Sequence, residues 1–184
     1  QSNEYKGQNK RIIPRNKNIK CGNSLIWTIR HDLLTLYIEG QGKMFDFQNE
    51  EGLYNPWYPE NYYEITKIII SKGVTSIGDF SFYKCASLQH IEISDTVESI
   101  GSSSFSHCTS LQSIQFPSSI KSIGISSFSY CVNLRNISLP ISLTSIGSSP
   151  FSNCNNLEYI FHYRNKIMNF YETLREGNNA KVIR

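Results

Sequence analysis

The sequence predicts a β-solenoid, a fold in which short coils of chain stack along one axis. The first observation is a period without gaps, because residues 68–159 divide into four segments of 23 residues. The second is that the same residue types fill the same positions of every segment. The third is an alternation of apolar and variable residues within each segment, which is typical of a half-buried strand. A fixed period of this length indicates coils that bury their apolar face only against their neighbours.

Six positions that hold an apolar residue, a cysteine or a glycine keep one residue type in all four segments. They are Ile68, Ile91, Ile114 and Ile137; Ile77, Ile100, Ile123 and Ile146; Gly78, Gly101, Gly124 and Gly147; Phe82, Phe105, Phe128 and Phe151; Cys85, Cys108, Cys131 and Cys154; and Leu88, Leu111, Leu134 and Leu157. Ile160 begins a fifth segment that then diverges. We expect the apolar positions to form the core and the glycine to permit a bend.

Each repeat is expected to contain a strand followed by tight corners. The stretch 88–93 alternates as a strand does, and stacked copies would form a parallel ladder with ~4.8 Å between strands and a length of roughly 20–25 Å. The serine-rich run that leads to Phe105 is expected to form a short turn or a single helical turn. Pro117 and Pro140 follow the strand, where a missing backbone donor is tolerated.

Residues 21–67 are expected to form a unit that seals the first coil. Two β-rich runs within residues 25–38 surround a turn, which indicates a β-hairpin, and Gly40 and Gly42 are expected to end its second strand. Aromatic residues and prolines crowd residues 45–63. We interpret them as an aromatic cap, because a solenoid must cover its open end. A ligand site built from these rings is the alternative.

The charge is distributed unevenly along the chain. The 184 residues carry a net charge of +3, and charged residues make up 18%. Residues 1–20 hold six basic side chains and one acidic side chain, which is a charge of +5 (six minus one). We expect a basic, flexible leader in solvent, with an anionic membrane surface as the alternative partner. Nucleic-acid binding is not expected, because no second basic patch or interleaved aromatic residue accompanies the leader.

The remaining patterns favour neither a membrane span nor a reaction centre. No run reaches the ~18 apolar residues of a spanning helix. The repeat cysteines lie a full period apart, which is not the spacing of zinc ligands. Their β-carbons would also lie farther apart than a disulfide prefers, so a ladder of buried thiols is expected. The histidines lie in separate segments, and the repeat serines have no associated base. We expect no enzyme activity, no metal and no cofactor.

The repeat resembles the BspA-like class of leucine-rich repeat, whose pattern is close to L-x-x-I-x-(I/L)-P-x-x-(V/I)-x-x-I-G-x-x-A-F-x-x-C-x-x. Residues 21–58 look like the amino-terminal cap of that family. Residues 163–183 are similar to its carboxy-terminal cap, a short helix followed by a closing strand. Alanine usually precedes the phenylalanine in the family, whereas this chain has Ser81, Ser104, Ser127 and Pro150 there. The serines fit a crowded corner, and Pro150 is expected to distort the last one.

The resemblance implies a right-handed leucine-rich repeat solenoid that is capped at both ends and binds other proteins, frequently on cell surfaces. We therefore divide the chain into a leader (1–20), an N-terminal cap (21–67), four repeats (68–159) and a C-terminal cap (160–184). Members of the family are associated with adhesion to host matrix proteins. A monomer or weak self-association is expected, because both ends of the ladder look capped.

The variable positions on the outward face of the strands are the candidate partner-binding residues. They are His90, Glu92, Gln115, Asn136, Ser138, Tyr159, Phe161 and Tyr163. The first coils offer a polar surface, and the last offers an aromatic cluster of the kind found at protein-binding hot spots. The alternative is that the C-terminal helix covers these rings.

Three functions follow as hypotheses. The leading one is a non-catalytic protein-binding module, secreted or at the cell surface, that adheres to host or matrix proteins. The second is a cytoplasmic scaffold that uses the same face for an internal protein partner. The third is a glycan-binding module that uses tyrosine and tryptophan rings near the caps.

Overall fold

The computed structural model of the chain describes residues 11–12, 20–30, 34–48, 55–57, 63–163 and 170–183. These residues form strands and a single short helix. The elements are β1 (Arg11–Ile12), β2 (Gly22–Arg30), β3 (Thr35–Met44), β4 (Lys67–Ile70), β5 (Val74–Ile77), β6 (His90–Ile93), β7 (Ser99–Ile100), β8 (Ser113–Gln115), β9 (Ser122–Ile123), β10 (Asn136–Ser138), β11 (Ser145–Ile146), β12 (Tyr159–Phe161), α1 (Phe170–Arg175) and β13 (Lys181–Ile183). Most of the predicted leader, 1–10 and 13–19, lies outside the described residues.

The N-terminal part is an antiparallel hairpin of β2 and β3, with β1 paired antiparallel to β2. The prediction that Gly40 and Gly42 end the second strand is wrong, because β3 continues to Met44. Both glycines adopt positive φ, 119° and 102°. This conformation, which residues with a β-carbon rarely adopt, kinks the strand instead of ending it. The first half of β3 then pairs with β4, and its second half pairs with β5.

Two parallel ladders leave β3 and form the walls of a solenoid of about five turns. The first consists of two paired groups that follow one another along the solenoid, β4 with β6 and then β8 with β10, β12 and β13, and we call its outward side the strand face. The second ladder contains β5, β7, β9 and β11. Partners lie one repeat apart, as when Ile68 pairs with Ile91 and Ile100 pairs with Ile123. The predicted parallel-ladder solenoid is therefore confirmed.

A stack of aromatic rings runs through the core. Phe82, Phe105, Phe128 and Phe151 lie face to face, with successive centroids 5.1, 5.2 and 5.7 Å apart. Trp57 extends the stack at its N-terminal end, 5.3 Å from Phe82, and is only 1% exposed. Its indole N–H donates to the carbonyl of Ser81 at 3.0 Å. Trp57 thus lies as a cap residue over the first coil, whereas residues 49–54 and 58–62 of the predicted aromatic cap lie outside the described residues.

The repeat cysteines form the buried thiol ladder that the spacing predicts. All five cysteines of the chain are free and buried. Each thiol from Cys108 onward donates to a phenylalanine carbonyl of the preceding coil, as Cys131 does to Phe105 at 3.2 Å. Burial raises the pKa of the Cys85 thiol to about 12 and that of Cys108 well above its usual range. The thiols are therefore protonated donors inside the core.

A column of hydroxyl groups makes a second set of links between coils. The side chains of Thr96, Ser119 and Ser142 donate to backbone carbonyls one coil earlier, at 2.8, 2.6 and 2.6 Å. These bonds satisfy carbonyls at the corner between the two ladders, where strand pairing does not reach.

The corners are short turns without helix, which is one of the two forms predicted. Non-glycine residues hold positive φ at the same two positions of each repeat: Phe80, Ser103, Ser126 and Ser149, and Lys84, His107, Tyr130 and Asn153. Pro150 does not distort the last corner, contrary to expectation. The preceding Ser149 has φ 51°, against 52° at Ser126, and the Pro150 carbonyl accepts from Phe128 N at 2.8 Å. At this corner the residue before the phenylalanine joins two coils only through its backbone carbonyl, which proline retains.

The C-terminal end is closed by α1 and β13, the helix and strand that the resemblance implies. Phe170 and Leu174 are the buried residues of the helix. Asn178 donates from its side chain to the Leu174 carbonyl at 2.8 Å and so satisfies one of the free carbonyls at the helix end. The chain then returns to the first ladder, where β13 pairs parallel with β12.

Candidate protein-binding face

Strand alternation places the variable residues of the first ladder in two outward rows. Inward positions such as Ile137 and Ile160 are 1% and 0% exposed. Register aligns the flanking residues one coil apart: Asn136 lies beside Ser113 and Tyr159, and Ser138 lies beside Gln115 and Phe161. The strand face is therefore made of the positions that differ between repeats.

The middle of the strand face is polar. His90, Glu92, Gln115, Asn136 and Ser138 are all exposed. The Glu92 carboxylate forms an ion pair with Lys67 of the neighbouring strand. Amide, hydroxyl, imidazole and carboxylate groups together can donate and accept hydrogen bonds across three coils.

The C-terminal end of the strand face is aromatic. The rings of Tyr159 and Phe161 stack with centroids 5.9 Å apart and an interplanar angle of 27°. The ammonium of Lys181 lies 5.9 Å from the centroid of Tyr159. Phe161 is 43% exposed and Tyr163 is 60% exposed. We call Tyr159, Phe161 and Tyr163 the aromatic end of the face.

Helix α1 packs behind this aromatic end and leaves Phe161 and Tyr163 exposed, whereas Tyr159 is half-buried. Its Phe170 lies edge-on against the buried His162, with ring centroids 5.0 Å apart. His162 alternates with Phe161 and Tyr163 along the chain and so points to the opposite side. The alternative in which the C-terminal helix covers these rings does not fit their exposure.

Sequence reasoning missed two surface features outside the strand face. The first is a shallow groove of about 440 Å³ along the second ladder, lined by Ser76, Ser99, Ser122 and Ser145 among others. The signal for it was present, since serine recurs before the isoleucine–glycine pair in every repeat.

The second missed feature is a row of rings at a corner. His107 stacks on Tyr130 with centroids 4.4 Å apart and meets Tyr83 edge-on at 5.4 Å. Partial burial, with the charge of Lys84 nearby, lowers the pKa of His107. The row occupies equivalent or adjacent positions of successive repeats, so the period could have shown it.

His107 also gives a serine the neighbouring base that the sequence did not reveal. The Ser106 hydroxyl lies 2.9 Å from His107 Nδ1 and 2.8 Å from the Ser129 hydroxyl. Ser106 is only 3% exposed and Ser129 only 6% exposed. A buried hydroxyl cannot reach a substrate, so the chain of hydrogen bonds fixes the corner instead.

The residues that the structure describes contain neither a metal-binding cluster nor a membrane-spanning helix. No group of three or more His, Cys, Asp or Glu side chains in this part of the chain could hold a metal ion. No helix there is long and apolar enough to cross a membrane. Trp57 is buried in the ring stack, which removes it from the surface that a glycan would need.

Coils with constant inward columns and variable outward residues on a parallel ladder define a repeat protein of the leucine-rich type. The BspA type leucine-rich repeat region matches residues 60–178 in six copies. The chain belongs to this family. The match extends beyond residues 68–159 on both sides.

Three solved structures are similar to the chain. A leucine-rich repeat protein from Bacteroides ovatus is 26% identical with TM-score 0.61, over 82% of this chain and 42% of that one. The T. pallidum leucine-rich repeat protein is 26% identical with TM-score 0.55, over 74% of this chain and 68% of that one. A leucine-rich cell surface protein from Faecalibacterium prausnitzii is 25% identical with TM-score 0.51, over 77% of this chain and 44% of that one.

The chain thus spans less than half the length of the B. ovatus and F. prausnitzii proteins. No curated protein matches its sequence.

Proposed function

We propose that the chain is a non-catalytic protein-binding module that acts in adhesion, at the cell surface or after secretion, through its strand face. The observation that carries this proposal is the aromatic end, where Phe161 and Tyr163 remain exposed beside rows of polar side chains. Exposed aromatic rings beside polar groups are typical of protein-binding hot spots. Membership in a repeat family of protein-binding modules supports the proposal.

The partner-binding residues in this proposal are the predicted ones. His90, Glu92, Gln115, Asn136 and Ser138 supply hydrogen bonds and orientation, since they are exposed on one side of the solenoid. Tyr159, Phe161 and Tyr163 supply the apolar contact area. The surface location draws support from the F. prausnitzii protein, which is described as a cell surface protein.

Biosensor binding of the purified chain to immobilised fibronectin, fibrinogen and laminin tests the proposal. We expect saturable binding to at least one of them. A Tyr159→Ala/Phe161→Ala double variant should weaken it by about 30-fold, because loss of a hot spot costs about 2 kcal/mol. The matched control is Tyr130→Ala, since Tyr130 is 44% exposed but lies at a corner outside the strand face.

Each other outcome contradicts a part of the proposal. Equal loss in the double variant and the control would exclude the aromatic end as the determinant. Binding that added salt abolishes in all variants would indicate the basic leader instead. Absence of binding to all three proteins would contradict matrix adhesion and favour a cytoplasmic scaffold.

A further inference from the structure

The strand face contains one boundary at which adjacent strands are not hydrogen-bonded. Within residues 63–163, β4 pairs with β6, and β8 and β12 both pair with β10. Strands β6 and β8 lie side by side but do not pair. Among the backbone hydrogen bonds that involve residues outside the strands, none joins residues 89–94 to residues 112–117. We call this boundary the β6/β8 seam.

The same two coils are held firmly on their other sides. In the second ladder, β7 pairs with β9, and Gly124 N donates to the Ile100 carbonyl at 2.8 Å. At the far corner, Phe105 N donates to the Ser127 carbonyl at 2.8 Å. The missing pairing is therefore confined to the strand face, and the two coils stay joined along their other sides.

The inward side chains of β6, next to the seam, are less buried than those of β4. Ile91 and Ile93 of β6 point inward but are only half-buried. The equivalent Ile68 and Ile70 of β4 are 0% and 2% exposed. The coils are thus less closely packed at β6 than at the strand before it.

The side chain of Phe116 distinguishes the seam from the other boundaries. The equivalent residues are the smaller Ile70, Ile93 and Leu139. Phe116 is half-buried and lies edge-on against Phe128, with centroids 5.7 Å apart. Within the four repeats Phe116 is the only ring in this column, and a larger side chain alters how two close-packed coils meet.

Proline alone does not explain the opening. At the boundary between β4 and β6, the Ser94 N–H donates to the Ile70 carbonyl at 3.1 Å. Pro117 is the equivalent residue one coil later, and it has no N–H to donate. Pro140 occupies the equivalent position one coil later, and β8 and β10 nevertheless pair. Phe116 is therefore the stronger cause.

We propose that the β6/β8 seam is a hinge at which the strand face changes its curvature. The N-terminal portion, with His90 and Glu92, tilts against the C-terminal portion, which carries Gln115 and the aromatic end. The second ladder is the pivot. A partner that spans the seam selects one curvature; this consequence rests on the proposed function, whereas the hinge itself does not.

Hydrogen exchange of the full chain without any partner tests the hinge. The amides of β6 and β8 that face the seam should exchange about tenfold faster than the equivalent amides of β4 and β10, because they open without breaking a ladder. The amides of Gln89, His90 and Ser94 donate to the preceding coil and should stay protected. Equal protection of the two sets would overturn the proposal. Since no partner is present, this result is independent of the adhesion experiment.

Two variants test the cause. Phe116→Leu restores the size of the column and should slow exchange of residues 112–116 to the rate of residues 135–139. Pro117→Ser restores the missing donor but should leave exchange within about twofold of the wild type. If Pro117→Ser slowed exchange of residues 112–116 and Phe116→Leu left it unchanged, the role of Phe116 would be overturned. Peptides covering residues 122–124 in the second ladder should stay unchanged in both variants.

Discussion

Neighbouring coils are joined at single residues by three different devices. Cys108 donates its thiol hydrogen to the Phe82 carbonyl at 3.3 Å. Ser119 donates its hydroxyl to Val97. Gly101 has no side chain because a β-carbon there would lie 2.5 Å from the backbone nitrogen of Asp79. Each residue type is therefore selected by what the coil beside it presents.

The cysteines provide the first prediction at this scale. At pH 8 we expect none of the five to react with iodoacetamide in the native chain, because burial holds the pKa of the Cys85 and Cys154 thiols at about 12. In denaturant all five should react, and mass spectrometry counts the adducts. Rapid native modification of a repeat cysteine would show that the thiol column is open to solvent.

Gly101 provides the second prediction at the scale of single residues. Gly101→Ala should lower the free energy of unfolding by about 1–3 kcal/mol, because the added methyl collides with the backbone of the preceding coil. Urea denaturation measures it. The control Ser118→Ala, at an exposed turn, should change the free energy by less than about 0.5 kcal/mol. Equal effects in the two variants would mean that the coils do not approach as closely at Gly101.

Individual residues were predictable to different degrees. The period alone identified the buried cysteine, phenylalanine and isoleucine columns, because a position that never varies must meet the same surroundings in each coil. It did not identify the donors Thr96, Ser119 and Ser142, whose role depends on side-chain rotation toward one carbonyl. The positive φ of His107 and its contact with Ser106 also depend on the path of the corner, which composition does not define.

At the scale of elements, each end of the solenoid is closed by a different structure. The N-terminal end uses the β2–β3 hairpin and the Trp57 ring, which continues the phenylalanine stack. The C-terminal end uses α1, whose Phe170 and Leu174 are buried, and β13, which extends the first ladder. A repeat array needs such ends, since an uncovered coil would expose its apolar face.

Trp57 therefore provides a prediction for the N-terminal cap. Trp57→Ala should reduce the free energy of unfolding by about 3–5 kcal/mol, because it leaves a large cavity over Phe82. Trp57→Phe keeps a ring in the stack but removes the donor to Ser81, so its loss should be nearer to about 1 kcal/mol. Thermal and urea unfolding of both variants give the comparison. A negligible effect of Trp57→Ala would mean that the first coil does not need this ring.

The elements also differ in how far the sequence determined them. The hairpin was predictable from its two β-rich runs, but the continuation of β3 through Gly40 and Gly42 was not. Glycine at positive φ can end a strand or kink it, and here the pairing with β5 decides between the two. Pro150 leaves the last corner undistorted for a similar reason. Phe128 of the preceding coil needs only the Pro150 carbonyl as an acceptor, and proline lacks only the N–H.

At the scale of the whole molecule, repetition separates the residues that hold the coils together from the residues that vary. Constant columns face inward and hold the coils together, whereas the variable residues collect on the strand face. The outward rows were predictable because alternation and register follow directly from the period. Their exposure at the aromatic end was not, since it depends on which side α1 packs. The β6/β8 seam was also hidden, because phenylalanine fits the apolar pattern as well as isoleucine does.

The claim that the strand face carries binding is tested most directly by comparing matched charge substitutions on the two ladders. Gln115 and Ser138 are neighbours one coil apart on the strand face, and Ser122 and Ser145 are neighbours one coil apart on the second ladder. Each pair is replaced by lysine, and circular dichroism confirms the fold. Binding to the matrix protein that captures the wild-type chain is then measured by biosensor at two salt concentrations.

We expect Gln115→Lys/Ser138→Lys to lose at least about tenfold in affinity, because two charges would be buried without partners. Ser122→Lys/Ser145→Lys should bind as the wild type does. Loss of binding only in the second-ladder pair, or equal loss in both, would contradict the assignment of the strand face.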